Sequence, residues 1–265
     1  GTTLTATSGG TCSLIAVKEA DTNYLEKSST AFSFNVSKGA PTVTQSLPAG
    51  ATTATYGTAV VITATVQYAG TVTFKAGTTE ICNSVTANLT ATCSWTPNSA
   101  VSTILTIDYV PTNTNWYNSR TAVGSLTINV GKATLSITAS SHTVAFGDAV
   151  PTITPTYSGF VNGDTSSVVT APICSTTYTT TTAVGSAASS CTGATASNYS
   201  FTYTPGDITI EKAVQATLVG TAGQSMWAWV ELPFSSITTS GGNGTGAVKF
   251  TVASGPCAVS GTTLT

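Results

Sequence analysis

Six cysteines, at positions 12, 82, 93, 174, 191 and 257, are the side chains of this sequence best suited to covalent chemistry. Cys82 and Cys93 lie 11 residues apart, and Cys174 and Cys191 lie 17 apart. Zinc ligation favours tight cysteine clusters supplemented by histidine, and His142 is the lone histidine of the chain. The spacing therefore predicts disulfides across neighbouring strands, each closing a short loop worth about 3 kcal/mol in the chain-entropy model. Disulfides persist in oxidising compartments, so the protein is expected outside the cell or on its surface. Six buried free thiols in a cytosolic protein is the competing reading.

The other chemically able residues are sparse. His142 precedes Asp148, but a catalytic triad needs a base aimed at a nucleophile and oriented by a carboxylate, and no G-x-S-x-G elbow accompanies them. Asp164, in Asn162-Gly-Asp164, has threonine and serine neighbours instead of the several carboxylates that calcium prefers, and reads as a β-turn. Lys38, Lys132 and Lys212 could be imagined in isopeptide bonds, yet no acid recurs beside them to transfer the proton. Asn35, Asn88, Asn198 and Asn243 each fit the N-glycosylation pattern. Trp227 and Trp229 stand two apart, so a strand would put both rings on one face, available to a core, a neighbouring subunit or a sugar. Trp116-Tyr117 and Tyr24 read as corner residues that lock a turn into a core. No catalytic residue, metal site or cofactor is expected, and the chain is read as a non-enzyme.

The elements that must position these residues are strands. Only 8 basic and 10 acidic side chains occur in 265 residues, and 57 positions are threonine, which is β-branched and favoured on pleated surfaces. Val60–Val66, Thr71–Phe74, Ser102–Asp108, Ser125–Val130, Thr134–Thr138 and Ala247–Val252 alternate apolar and polar residues at period two, most of them bounded by turn residues. Short strands so spaced predict an all-β chain of antiparallel sandwiches. A net charge of −2 offers no footprint for nucleic acid, and no apolar run is long enough to insert in a membrane.

A punctuation mark of apolar strand, lysine and small residue recurs at Lys38-Gly39, Lys132-Ala133 and Lys212-Ala213, each after an upstream Asn-aromatic pair: Asn23-Tyr24, Asn115-Trp116 and Asn198-Tyr199. It predicts complete domains at 39–132 and 133–212 with almost no linker. Gly1–Thr5 and Gly261–Thr265 are the same pentapeptide, Gly-Thr-Thr-Leu-Thr. Overlaying them gives a period of 260 residues, in which 213–265 is the amino-terminal half of a third domain and 1–38 its carboxy-terminal half. The same register sets Cys257 15 residues before the next copy of Cys12, matching the other pairs. The halves would meet within one giant chain or be shared between protomers.

Three stretches resemble bacterial Ig-like modules of large secreted proteins. Gly244–Phe250 through Cys257, continued by Ala6–Cys12 and Lys18–Tyr24, is similar to one bacterial Ig-like type. Residues 39–132, with Tyr56-Gly-Thr and Gly70–Lys75, look like another. Residues 133–212 resemble the MBG-type module, through Phe146–Pro151, Tyr157–Asp164, Asn198-Tyr199 and Phe201-Thr-Tyr203. The resemblance implies tandem Ig-like β-sandwiches joined by very short linkers in a secreted or cell-surface protein. The expected function is a structural repeat of an extracellular filament, fibre or stalk, whose partners are further copies of itself. An adhesin module binding a glycan or surface ligand, and a phage or virion decoration protein, are the alternatives.

Overall fold

The computed structural model describes residues 3–220, 232–233, 239–240, 244–255, 258–260 and 263–264. The chain is all-β; apart from two three-residue 3-10 turns, Pro48–Gly50 and Ser166–Val168, the described elements are strands. They fall into two compact units, one of residues 1–139, 154–174 and 190–204, the other of residues 140–153, 175–189 and 205–265.

The first unit opens with a two-stranded ribbon. β1 (Gly10–Leu14) pairs with β4 (Phe32–Val36), and the ladder is extended by β2 (Val17–Lys18) on β3 (Lys27–Ser28). Then follow β5 (Val43–Ser46), β6 (Thr53–Thr55), β7 (Val60–Val66), β8 (Gly70–Ala76), β9 (Thr79–Ala87), β10 (Thr90–Trp95), β11 (Thr103–Pro111) and β12 (Arg120–Gly131). They form a three-stranded sheet, β10-β7-β5, and a five-stranded sheet, β6-β12-β11-β8-β9. Period-two alternation drives Ile62, Ala64 and Val66 of β7, Val72 and Phe74 of β8, and Leu105, Ile107 and Tyr109 of β11 into one core. Their hydroxyl-bearing neighbours face outward.

β13 (Ala133–Ala139) follows β12 with only Lys132 between them. Next come β14 (His142–Ala145), β15 (Pro155–Ser158), β16 (Ile173–Thr176), β17 (Gly185–Thr192), β18 (Tyr199–Thr204) and β19 (Gly206–Glu211). Their sheets are β15-β13-β18 and β14-β19-β17-β16. Residues 213–265 contribute short pairings among the described residues: Val219–Gly220 with Thr239–Ser240, and Thr263–Leu264 with both Leu232–Pro233 and Val259–Ser260.

The all-β, predominantly antiparallel architecture is the one expected, and three of its pairings are parallel. β12 runs parallel to β6, β13 to β18, and β14 to β19. The cause is a first strand divided between two sheets. After β5 has paired antiparallel with β7, the turn at Pro48–Gly50 carries the chain to the other sheet, where β6 runs alongside the last strand. Ala49 and Gly50 adopt φ of 53° and 69° to make that turn.

Candidate functional site

Two turns from distant parts of the first unit meet at one carboxylate. Tyr56 ends the parallel run of β6, its N–H bonded to the Gly131 carbonyl at 2.9 Å, and Gly57 follows with φ of 72°. The facing turn, Val161–Asp164, has positive φ at Asn162 and Gly163 and closes through Asp164 N–H to the Val161 carbonyl at 3.0 Å, the signature of an Asn-Gly turn. Asp164 Oδ2 accepts the Tyr56 hydroxyl at 2.8 Å and the Tyr199 hydroxyl at 2.7 Å. The Tyr199 oxygen in turn accepts Val161 N–H at 3.0 Å.

Around this point the packing is continuous. The Tyr199 ring stands edge-on to Tyr56 and to Phe160, with centroids 5.5 and 5.7 Å away. The buried cluster that begins at Leu47 runs without a break through Val130, Ala133 and Leu135 to Tyr199. The Pro97 carbonyl accepts both Gly57 N–H and Asn162 Nδ2, each at 3.1 Å, and Asn198 Oδ1 accepts Ala100 N–H at 3.0 Å. A β-carbon on Gly57 would lie 2.2 Å from Val161 Cγ2. Burial, with the Asp164 charge close by, pushes the Tyr199 phenol up to about 12. The arrangement fastens two turns to a single charge that is hydrogen-bonded twice over.

The lysine punctuation has a geometric counterpart. Lys38 Nζ donates to the Thr114 carbonyl at 2.7 Å while Gly39 N–H donates to the Trp116 carbonyl at 2.8 Å. Lys132 Nζ donates to the Ala196 carbonyl at 2.9 Å while Ala133 N–H donates to the Asn198 carbonyl at 3.0 Å. In both places a lysine and its successor grip two carbonyls separated by one residue. These bonds engage the amines, and among the described residues neither lysine is hydrogen-bonded to an Asn or Asp side chain.

Cys82 and Cys93 form a disulfide, as do Cys174 and Cys191. The second joins adjacent strands β16 and β17 of one sheet, as the spacing predicts. The first departs from that expectation: it links β9 to β10, which belong to different sheets, and so ties the faces of the sandwich together. Cys12, half-buried on β1 opposite Phe34, has no disulfide partner among the described residues.

His142 meets Ser140 Oγ at 2.9 Å, while Asp148 accepts Ala145 N–H at 2.8 Å and closes its own turn, so the two do not come together. Of the sequons, Asn35 and Asn88 are exposed and Asn198 is half-buried at the joint just described. Trp227, Trp229, Asn243 and Cys257 lie outside the described residues. Of the expected corner residues, Tyr117 is half-buried and stacks on Tyr68, with ring centroids 4.1 Å apart, whereas Trp116 is exposed. Tyr24, 75% exposed, does not lock its turn into a core formed by the described residues. The role of Asp164 as acceptor for two tyrosines was missed; the turn was readable, but its partners lie 35 and 108 residues away.

Residues 135–209 match the family model of the MBG domain, YGX type. No curated protein matches the chain. The matched segment and the two disulfides together fit an extracellular module of repeat type.

Proposed function

We propose that this chain is a structural repeat unit, with a period of about 260 residues, of an extracellular filament, fibre or surface stalk. The observation that carries the reading is the joint at Asp164. Residues 39–132 share one buried cluster with β13 and with Tyr199 of β18, and Lys132 alone separates β12 from β13, which is what a stiff extended polymer needs and a hinged receptor avoids. The disulfides and the nearly uncharged threonine surface support it: such chains tolerate oxidising surroundings and lie side by side without repulsion.

Immunogold electron microscopy on the producing cells, with antibodies against residues 39–212, tests the reading. Label along surface fibres at a regular axial spacing is expected, at roughly 100–130 Å per three-domain repeat for sandwiches of this size. Label confined to the cytosol, or to dispersed monomers in the medium, overturns it.

A further inference from the structure

Among the described residues no second sheet covers the apolar face of the β1–β4 ribbon. Cross-strand pairs Cys12–Phe34 and Leu14–Phe32 put these four side chains on one side, and Val36 joins them opposite Gly10. Thr11, Ser13, Ser33 and Asn35 take the other side, where Thr11 Oγ1 donates to Asn35 Oδ1 at 2.8 Å. Phe32 and Phe34 remain 54% and 38% exposed, whereas Ile62 and Phe74, the inward residues of complete sheets in the same unit, are at 0%. A groove along this face is lined by Leu4, Gly10, Cys12, Phe34 and Val36. Beyond it the ribbon tip carries Tyr24 and Leu25, the latter 91% exposed. A lone two-stranded ribbon is marginally stable in water, so a face of this kind calls for a cover.

We propose that residues 213–265 of a second copy of this sequence cover that face, and that a disulfide between Cys12 and the second copy's Cys257 seals the joint. Three observations select this occupant. Residues 261–265 repeat residues 1–5, and this register sets the second copy's Cys257 15 residues ahead of Cys12, between the 11 and 17 of the two disulfides already formed. Among the described residues Cys12 has no disulfide partner. Lastly, Lys38 and Lys132 each grip a loop of the module they introduce, whereas among the described residues Lys212 has no such loop to grip. In the register its loop is the turn Asp21–Tyr24 of the other copy, already shaped by Asp21 Oδ1 accepting the Asn23 and Tyr24 N–H groups.

The bond forms by exchange with a small-molecule disulfide such as oxidised glutathione. The Cys12 thiolate attacks it and releases one reduced glutathione; the second copy's Cys257 thiolate then displaces the other from Cys12. Two thiols lose two electrons and two protons, and one glutathione disulfide becomes two thiols.

This inference rests on the repeat-unit reading but fails separately from it, since fibres on cells built through other contacts would leave Cys12 unpaired. The test is oxidation of the purified 265-residue chain in a glutathione buffer, followed by non-reducing electrophoresis and peptide mapping. The unaltered chain is expected to give a covalent ladder with the Cys12–Cys257 peptide at every rung. Cys12→Ser and Cys257→Ser alone give no ladder, and their equimolar mixture gives a dimer that grows no further. Phe34→Asp, which keeps both thiols, slows bond formation about tenfold or more because a charge must be buried in the joint; intact Cys82–Cys93 and Cys174–Cys191 peptides report its folding. A mixture that stays monomeric, a Phe34→Asp rate equal to that of the unaltered chain, or a Cys12–Cys257 bond within one monomer overturns the proposal.

Discussion

Tyr56 and Tyr199, 143 positions apart in the sequence, stand edge to face and donate their hydroxyls to the same oxygen of Asp164. One carboxylate thereby couples the end of β6 to the start of β18. Because both phenols sit against a shared apolar cluster, loss of either hydrogen bond leaves a polar atom stranded where water enters poorly.

Tyr199→Phe should therefore lower unfolding free energy by about 1–3 kcal/mol, since it deprives both Val161 N–H and the Asp164 carboxylate of a partner while keeping the ring. Urea denaturation followed by tryptophan fluorescence measures it. A loss below about 0.5 kcal/mol would show that water replaces the phenol without cost.

Gly57 should be intolerant of a side chain for two reasons, its φ of 72° and the 2.2 Å approach of a β-carbon to Val161. Gly147 shares only the first, with φ of 92° and open space around it. Gly57→Ala is expected to cost about 2–4 kcal/mol and Gly147→Ala about 1 kcal/mol. Equal thermal shifts for the two variants would remove the steric contribution from the joint.

Alkaline pH should loosen the protein through Tyr199. Its folded pKa, raised to about 12 by burial and the neighbouring carboxylate, exceeds the ordinary phenol value. The folded state therefore holds the proton more tightly than the unfolded chain does. The resulting stability is complete below about pH 10 and disappears as pH climbs through about 12. Tyr109, raised by burial alone, adds a slope of the same sign. Stability measured from pH 8 to 12 should thus fall less steeply for Tyr199→Phe than for the unaltered chain; parallel curves would mean that Tyr199 titrates normally.

The paired substitution Cys82→Ser with Cys93→Ser should cost about 2–4 kcal/mol, in line with the loop of 11 residues that the disulfide closes. Thermal unfolding of the double variant against the unaltered chain gives the value. A change within error would place the sandwich's stability wholly in its core.

Most strand positions and inward faces were legible because alternation at period two is written locally: Val60–Val66 and Thr134–Thr138 read in the sequence as they lie in the sheets, whereas Ala247–Val252 alternates in the same way and forms no strand. The parallel pairings were not, since nothing in Thr53–Thr55 distinguishes an edge that joins β12 from one that stays beside β7. The lysine marks pointed to the joints, but the acceptors are main-chain carbonyls of Thr114, Trp116, Ala196 and Asn198, on which side-chain identity has no bearing. For the same reason the Asn-aromatic pairs do not align with the grip residue for residue. Trp116 is an acceptor in one case and Asn198 in the other, one position out of step with the pairs. Asp164 escaped notice because its role depends on where the turn is delivered, a property of the assembled sheets.

Parallel pairing of β6 with β12, at Thr53–Asn129, Ala54–Val130 and Thr55–Gly131, has a consequence for how this chain would respond if it were pulled from its ends. Tension along the backbone pulls the first strand and the last strand of the module in opposite directions while they lie side by side pointing the same way. The hydrogen bonds between them are then strained in shear and must give way together, instead of opening one at a time like a zipper. Because Lys132 alone separates β12 from β13, which is held parallel to β18 by six residue pairs, a force leaving one such clasp would pass directly to the next.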